Sequence, residues 1–427
     1  MKYIQKIQRK ITQYRESKYL STDPVVADLQ RALTRDRVLE DIDDRIAYSK
    51  DESVFEGGIA GPVCFPTSTQ EVQEIMRIAE RHERHVIPRG AGSGLAGGAI
   101  PLGAPIVIAM TKMNNILEVD IDNRIAWVEP GVINLELSDY LRPLGFHYAP
   151  DPSSQQICTL GGNVANNSGG PHCLADGVTD THVLAMEVVL PDGDVALFGG
   201  LDAEPEGLDL RGAFIGSEGT LGITTKIAVR LTPNPDDVQT ILISFPSMRK
   251  AAETVSAIIA DGIVPAAMEA MDQKTIEVIE QHIPAGYPTN AGAVLLVEVE
   301  GLADGVEIDA LRIGEIAETH EADDIKIAQT SYQRDALWKG RKSAFGASTY
   351  LAPNYYLHDT VVPRSELANV LDKVNQLAEE NDLTIMNVFH AGDGNLHPLL
   401  VFDANEEGTL DRVHQVAAEI VKISLEA

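Results

Sequence analysis

The sequence is short of positive charge. Its 427 residues include 34 Lys and Arg against 64 Asp and Glu, which gives a formal net charge of −30 at pH 7. Such a chain lacks the basic surface that a phosphate backbone requires, so the composition argues against nucleic-acid binding. An anionic substrate would need local positive charge, from an Arg side chain or from a bound metal ion.

Cysteines and long apolar runs are also scarce. Cys64, Cys158 and Cys173 are scattered and form no C-x-x-C pair, which argues against an iron–sulfur cluster or a zinc ribbon in this chain. Isolated thiols fit a reducing compartment. No apolar run approaches the roughly 18 residues of a membrane span. We therefore expect a cytoplasmic protein, with peripheral contact at the inner face of the membrane as the alternative.

The N-terminal segment Met1–Leu20 carries its own pattern. Six Lys and Arg stand against Glu16, and Ile4, Ile7 and Ile11 recur at helical spacing. This pattern predicts a basic amphipathic helix. Packing on the body of the protein is the favoured interpretation, and docking to a partner or an anionic membrane is the alternative.

A chain of this length is expected to form more than one domain. The segment Thr232–Asp237, with two prolines and two acids, is the best candidate boundary. Strands and glycine-rich turns precede it, whereas alternating strands and helices of an antiparallel α+β pattern follow it. We predict a helical segment over residues 1–45, a first domain over 46–235 and a second over 236–427.

Three glycine-rich loops, each next to a predicted strand, stand out in the first domain. They occupy residues 88–98, 159–170 and 216–222. The first contains G-x-G-x-x-G from Gly92 to Gly97, but a dinucleotide fingerprint must open a helix. Gly98, Pro101 and Gly103 follow instead, so a Rossmann site is excluded. Three loops of backbone N–H groups favour a long bound cofactor with a diphosphate.

A histidine pair dominates the second domain. The segment Phe389–His397 lies between two apolar runs, and its Asp393-Gly394 dipeptide predicts a type I′ hairpin turn. That register would place His390 directly opposite His397, with Cβ atoms about 4.5–5.5 Å apart. Two imidazoles so placed could share a divalent metal ion.

Together these motifs resemble those of the vanillyl-alcohol-oxidase-type FAD oxidoreductases. Within that family they are similar to the glycolate oxidase flavin subunit and to D-lactate and D-2-hydroxyglutarate dehydrogenases. The resemblance implies an α+β fold, with a two-subdomain FAD-binding domain and an antiparallel α+β cap domain over the isoalloxazine ring. Residues 88–98 contain no His, so noncovalent FAD is implied.

The resemblance also implies which residues contact the flavin, in three groups that follow the loops. They are Arg89, Gly90, Ala91, Gly92, Ser93 and Gly94; then Pro150, Asp151, Ser153, Gly161, Gly162, Asn163, Asn167, Ser168 and Gly169; then Gly216, Glu218, Gly219, Gly222 and Ile223.

Substrate-binding residues follow from the same likeness. Arg341, after Trp338, would hold a substrate carboxylate, although without the resemblance it would be interpreted as a solvated helix cation. His390 and His397 would ligate zinc or another divalent metal. Relatives continue into a Gly-Glu-His-Gly motif whose Glu completes the metal site and whose His is the general base. The sequence ends at Ala427, before such a motif, so we expect the base beyond it.

The implied reaction is FAD-dependent oxidation of a D-2-hydroxy acid, with glycolate or D-lactate favoured, to the 2-oxo acid. Hydride would pass to flavin N5, and the electrons would leave through partner subunits, including an iron–sulfur acceptor, or through a carrier. Two alternatives stay open at this point. The chain could be a catalytically silent flavin-binding subunit, or a metal-dependent hydrolase without flavin.

Overall fold

The computed structural model describes residues 23–53, 55, 57–201 and 207–427. The predicted N-terminal helix over Met1–Leu20 lies outside these residues. Contacts divide the chain into two compact units. The first unit comprises the chain up to Gly169 together with Val178–Pro233, and the second comprises Gly170–Gly177 together with Asn234–Ala427.

Eleven strands and eight α-helices precede Asn234 in the described part of the chain. The strands are β1 (Val38–Leu39), β2 (Val63–Cys64), β3 (Val86–Arg89), β4 (Ile106–Ala109), β5 (Ile116–Asp120), β6 (Ile125–Val128), β7 (Phe146–His147), β8 (Val183–Val189), β9 (Val195–Gly199), β10 (Ile223–Arg230) and β11 (Thr232–Pro233). The helices are α1 (Pro24–Leu33), α2 (Ile42–Arg45), α3 (Thr69–Arg81), α4 (Asn134–Leu141), α5 (Leu160–Asn166), α6 (Cys173–Asp176), α7 (Thr179–His182) and α8 (Leu210–Phe214).

Nine strands and seven α-helices follow Pro233 in the described part of the chain. The strands are β12 (Asp237–Phe245), β13 (Ala267–Asp272), β14 (Ala293–Gly301), β15 (Asp324–Ile327), β16 (Asn354–Leu357), β17 (Thr360–Val361), β18 (Thr384–His390), β19 (Asn395–Leu396) and β20 (Pro398–Phe402). The helices are α9 (Met248–Ala260), α10 (Gln273–His282), α11 (Ala303–Thr319), α12 (Ser331–Lys342), α13 (Ala344–Ala347), α14 (Leu367–Glu380) and α15 (Thr409–Glu426).

The first unit contains two principal sheets. One has the strand order β1-β2-β4-β3, in which β4 runs parallel to both β2 and β3. The other is antiparallel, with the order β5-β6-β10-β8-β9. No helix begins in the loop between β3 and β4, which confirms that the first glycine motif is not a Rossmann turn.

The second unit is built on one large sheet, and helices pack through their apolar sides on both faces of it. Its main strand order is β15-β12-β14-β13-β18-β19-β17, and β20 pairs with β18 and β16. Ile243 and Leu295 pack with α9, α11, α14 and α15, whereas their neighbours Leu242 and Leu296 pack with α10, α12 and α13. Successive strand residues point to opposite faces, so one alternating pattern supplies two cores.

Helix α3 shows how a local signal fixes an element. The Ser68 side chain accepts a hydrogen bond from the Glu71 backbone N–H at 3.3 Å and begins the helix. The Glu71 carboxylate accepts from the Thr67 N–H at 2.7 Å rather than from that of Ser68, and it also pairs with Arg37. Ser68-x-x-Glu71 therefore acts as a capping box whose return bond is displaced by one residue.

Membrane-spanning potential is absent from every helix of the described ranges, since none combines sufficient length with sufficient apolarity.

Helix α11 offers a matched test of the second core. Ile313 is 0% exposed and Ile308 is 66% exposed on the same helix. We expect Ile313→Ala to lower the free energy of unfolding by about 2–5 kcal/mol because it leaves a cavity. Ile308→Ala should change it by less than about 0.5 kcal/mol. Urea unfolding followed by circular dichroism measures both, and equal losses would contradict the assignment of the buried face.

Candidate functional site

The three glycine loops meet in the first unit. A Cβ atom on Gly90 would collide with Thr159, the N-cap of α5, and one on Gly219 would collide with Pro88. The backbone N–H groups of Gly216 and Glu218 donate to Val164 and Ala165 of α5 at 2.9 and 2.8 Å. The third loop is thus bonded to the helix of the second, and both lie against the first.

The remaining predicted residues extend the same region. The Asn134 amide donates to the Pro150 carbonyl at 2.9 Å and to the Asn163 side chain at 3.0 Å, which brings Pro150, Asp151 and Ser153 close to α5. Asn167 ends α5 in the left-handed conformation, with φ of +49°. Its side chain accepts from the Asp180 N–H at 3.0 Å, and the Ser168 carbonyl accepts from Thr179.

Several predicted residues serve packing. Pro130 fills the space where Gly161 lacks a side chain, and Val188 does the same at Gly222. Asn163 is 2% exposed; its side chain is bonded to Asn134 and Cys158, and its backbone to Thr159 and Ser168. Burial lowers the pKa of Arg89, whose guanidinium lies against Gly92 within the first loop.

This region fits a diphosphate-containing cofactor. Gly92 and Gly219 have φ values of +76° and +73°, a conformation that lets successive N–H groups turn toward one point. The buried Ser217 hydroxyl in the third loop has no hydrogen-bond partner among the residues that the structure describes. A buried hydroxyl without a partner is unfavourable unless a ligand completes it.

A second group of ionisable side chains lies in the second unit, on the face of its sheet that α10, α12 and α13 cover. Glu269 on β13 stands directly opposite His390 on β18, and its Oε1 atom lies 2.7 Å from His390 Nδ1. Its Oε2 atom accepts from Arg341 Nε at 2.6 Å and lies 2.5 Å from Nη2. Glu269 and Arg341 are 0% and 1% exposed. One buried carboxylate therefore joins the two predicted substrate-site residues.

Charge in this cluster is strongly coupled. Burial alone would raise the pKa of the Glu269 carboxyl, but Arg341 and His390 outweigh it and hold that pKa below its usual value. Burial lowers the pKa of His397 well below its usual value, and the neighbouring His390 and Arg341 lower it further. The cluster thus combines an ionised Glu269 with a neutral His397.

The predicted hairpin register is wrong. The structure pairs His390 with Asn395, not with His397. Gly394 has a φ of +78°, while Asp393 is not among the residues with positive φ, so the turn is not type I′. It spans Ala391–Gly394, with the Gly394 N–H donating to the Ala391 carbonyl at 3.4 Å. The two imidazoles nevertheless approach, with ring centroids 4.9 Å apart at 83°.

A complete metal site is not formed by the described part of the chain, in which no cluster of three or more His, Cys, Asp or Glu suits a metal ion. His397 Nε2 lies 3.7 Å from Asp359 Oδ1, and His390 Nδ1 is bonded to Glu269. Two imidazoles alone fall short of the three or four protein ligands that zinc usually takes.

A neighbouring carboxylate anchors the helix of Arg341. Glu298 on β14 accepts from Trp338 Nε1 at 2.7 Å and lies 3.3 Å from His172 Nε2. Burial opposes ionisation of Glu298, but its partners, His172 foremost, hold its pKa below the usual value. Trp338 precedes Arg341 by one helical turn, so this network fixes α12 at the level of the guanidinium.

Sequence reasoning missed Glu269 and Glu298. Each is an acid within an apolar strand, in Ala-Met-Glu-Ala-Met and Val-Glu-Val-Glu. Acids are rarely fully buried without a partner, so a carboxylate on a strand predicted to be buried is a signal for a nearby cation. That signal does not identify the cation.

Comparison with known proteins gives the family. Residues 61–199 match the FAD binding domain model, and residues 234–427 match the model of the FAD linked oxidases, C-terminal domain. The glycolate oxidase subunit GlcD of Escherichia coli (strain K12) is 42% identical over 85% of this chain and 73% of its own length. D-lactate dehydrogenase of Anaerostipes hadrus is 32% identical over 93% of this chain and 84% of its own length.

Solved structures agree on the fold. The 4-ethylphenol oxidase of Gulosibacter chungangensis superposes with a TM-score of 0.79 at 17% identity, over 94% of this chain and 87% of that chain. The chain belongs to the FAD-linked oxidases, with the vanillyl-alcohol-oxidase-type α+β fold. It is an FAD-linked oxidoreductase, which confirms the predicted family, fold class and flavin cofactor.

Gly219 tests the convergence of the loops. Gly219→Ala adds a Cβ that collides with Pro88, whereas Gly145→Ala, also at positive φ, meets nothing within 4 Å. Both changes carry a backbone strain of about 1 kcal/mol. We expect only Gly219→Ala to weaken FAD binding, by at least tenfold in the dissociation constant measured by flavin fluorescence. Equal weakening in both variants would contradict the loop geometry.

His358 gives the second unit a pH dependence. It is 5% exposed, its Nε2 has no hydrogen-bond partner among the described residues, and burial lowers its pKa to about 4. The unfolded chain binds the proton more readily, so the stability contributed by neutral His358 is lost as pH falls from about 6.5 toward 4.

The loss attributable to His358 is about 3 kcal/mol at most. His358→Gln, which does not titrate, should therefore lose less stability than the wild type between pH 7 and pH 4.5, measured by urea unfolding. A parallel decline in both proteins would contradict a neutral, buried His358.

Proposed function

We propose that this chain oxidises a small D-2-hydroxy acid, glycolate or D-lactate in the first instance, to the 2-oxo acid. The observation that carries the proposal is the buried cation Arg341. Its Nη1 and Nη2 atoms are buried and make no hydrogen bond among the described residues, although Glu269 accepts from Nε and lies in ion-pair contact with Nη2. The chain has a net charge of −30. A buried guanidinium with an unused hydrogen-bond donor provides the local positive charge that an anionic substrate needs.

The substrate carboxylate binds Arg341 through Nη1, since guanidinium and carboxylate form strong charge-assisted hydrogen bonds. The hydroxyl group lies toward the imidazoles. His397 is neutral, and its buried Nδ1 has no hydrogen-bond partner in the described ranges, so it lies beside His390 as a further hydrogen-bonding group for the hydroxyl. When bound, FAD supplies the two-electron acceptor for the hydride from Cα. The residues of this chain supply orientation and a setting that excludes water.

The names of the relatives support this substrate class. The Escherichia coli relative is called a glycolate oxidase subunit and the Anaerostipes hadrus relative a D-lactate dehydrogenase, and both names denote oxidation of a 2-hydroxy acid. Membership of the FAD-linked oxidases disfavours the flavin-free hydrolase. The silent flavin-binding subunit is distinguished by experiment below.

Partner subunits belong to the proposal as well. Because the Escherichia coli relative is named as a subunit, we propose that electrons leave this chain to another polypeptide, with an iron–sulfur acceptor as the first candidate. The three cysteines of this chain are far apart in sequence and two of them are buried, so they do not suit an iron–sulfur cluster. His390 and His397 stay a proposed ligand pair for a divalent metal, which needs further ligands from outside the described residues.

Arg341 is the decisive residue. Anaerobic addition of glycolate or D-lactate should bleach the flavin absorbance of the wild type. Arg341→Ala should raise KM and lower kcat, reducing kcat/KM by about 10²–10³-fold, because the carboxylate loses its charge-assisted partner.

Lys339→Ala is the matched control, since Lys339 is an exposed cation on the same helix, and it should behave as the wild type. Unchanged kinetics in Arg341→Ala would remove Arg341 from the site. A flavin that no 2-hydroxy acid bleaches would favour the silent subunit.

A further inference from the structure

Glu269 accepts hydrogen bonds from Arg341 and His390. A carboxylate removed from water is costly, and apolar residues of similar volume often replace a buried ion pair without loss of stability. The strand around it is apolar, with Ala267, Met268, Ala270 and Met271 all buried. A carboxylate among these buried apolar residues therefore invites a functional explanation.

We infer that Glu269 is a positioning residue shared by Arg341 and His390, and that its one carboxylate selects the guanidinium edge and the imidazole nitrogen that meet the substrate. The inference rests on the proposed function, because it concerns how the same site presents itself to a 2-hydroxy acid. It adds a residue that touches neither the substrate nor the flavin.

The guanidinium edge follows from the distances. Glu269 Oε2 accepts a hydrogen bond from Arg341 Nε at 2.6 Å and lies 2.5 Å from Nη2 in an ion-pair contact without hydrogen-bond geometry, so this edge of the guanidinium faces Glu269. Nη1 is left on the far side, buried and without a partner in the described part of the chain. Glu269 thus prevents Arg341 from turning its Nε edge toward the substrate.

The imidazole nitrogen follows from the other oxygen. An ionised carboxylate only accepts hydrogen bonds, so the bond of 2.7 Å from His390 Nδ1 to Oε1 places the proton on Nδ1. The other ring nitrogen, Nε2, is then presented on the opposite side of the ring. The same arrangement orients histidines in many sites through a second partner.

Binding of a 2-hydroxy acid requires the guanidinium edge and the imidazole nitrogen to be fixed together. Its carboxylate and hydroxyl stand on adjacent carbon atoms, so the groups that bind them must keep a fixed short separation. Binding sites tolerate errors of roughly 0.5 Å in such constellations. A single residue bonded to both groups sets this separation directly, and the direct opposition of Glu269 and His390 across β13 and β18 makes it rigid.

Glu269→Gln is the sharpest variant. An amide has one acceptor oxygen and one donor nitrogen, so a Gln that accepts from Arg341 must donate to His390 Nδ1, and the imidazole proton then moves to Nε2, the nitrogen presented to the substrate. Glu269→Asp keeps two acceptor oxygens on a shorter side chain and should restore part of the function. Asp272→Asn removes a second, half-buried carboxylate from the same strand, one that caps α10 and accepts from Asn387.

The measurement uses the FAD-loaded protein and oxalate, a dianion that holds two adjacent carboxylates and cannot be oxidised by hydride loss. Titration followed by flavin absorbance gives its dissociation constant, and calorimetry confirms it if the spectrum does not change. We expect Glu269→Gln to weaken oxalate binding by about tenfold or more, Glu269→Asp to weaken it less, and Asp272→Asn to leave it unchanged. With the hydroxy acid that reduces the wild type, KM should rise and kcat should fall in the same order.

Several outcomes would overturn the inference. They are wild-type oxalate affinity in a Glu269→Gln protein that retains FAD, equal weakening in Asp272→Asn, and no oxalate binding by the wild type. If Glu269→Gln does not fold, the comparison of Glu269→Asp with Asp272→Asn decides. Failure of the proposed function looks different, because the wild type would then bind oxalate in a Glu269-dependent manner while no 2-hydroxy acid bleached its flavin.

Discussion

The second unit is organised by a carboxylate that water does not reach. Glu269 can remain ionised only if both of its oxygens meet donors, because an uncompensated buried charge costs several kcal/mol (about 3–5 kcal/mol when one partner is removed). Arg341 meets one oxygen and His390 the other. The positions of α12 and β18 are therefore tied to β13 by charge as well as by apolar packing.

The sheet decides which face carries the chemistry. Glu269, Glu298 and His390 alternate with residues of the larger core and so share the face covered by α10, α12 and α13. Arg341 reaches them from α12, which Trp338 fastens to Glu298. Side chains alternate between the two faces along three neighbouring strands, so these ionisable groups share one face. Two of them are more than one hundred residues apart in sequence.

Local signals in the sequence were sufficient for much of the fold and for the flavin region. The start of α3, the strands after Pro233 and the absence of a helix after the first loop follow from capping residues, periodicity and glycine placement. The meeting of the three loops was suggested by their number alone. Their contacts, such as Gly219 against Pro88, depend on tertiary packing that no local pattern encodes.

Long-range pairing explains what was missed. The Asp-Gly dipeptide favours a two-residue turn, but pairing of Asn387 with Pro398 fixes a register that leaves four residues in the loop, so only Gly394 needs a positive φ. Glu269 was missed because its partners come from elements 72 and 121 residues away in sequence. Residue type indicated that a partner was needed, and only the fold could say which.

The excursion Gly170–Gly177 has a consequence for how this protein can be divided. The chain joins the second unit at Gly170, returns at Val178 and crosses again after Pro233, so three peptide connections link the units. Leu174 packs against Gly392 and His172 lies beside Glu298. Cleavage of the polypeptide near Pro233 would leave this peptide on the N-terminal fragment, although it packs with the second unit. The two halves are therefore unsuited to separate expression, and shuffling them between relatives would require exchanging the excursion together with the C-terminal half.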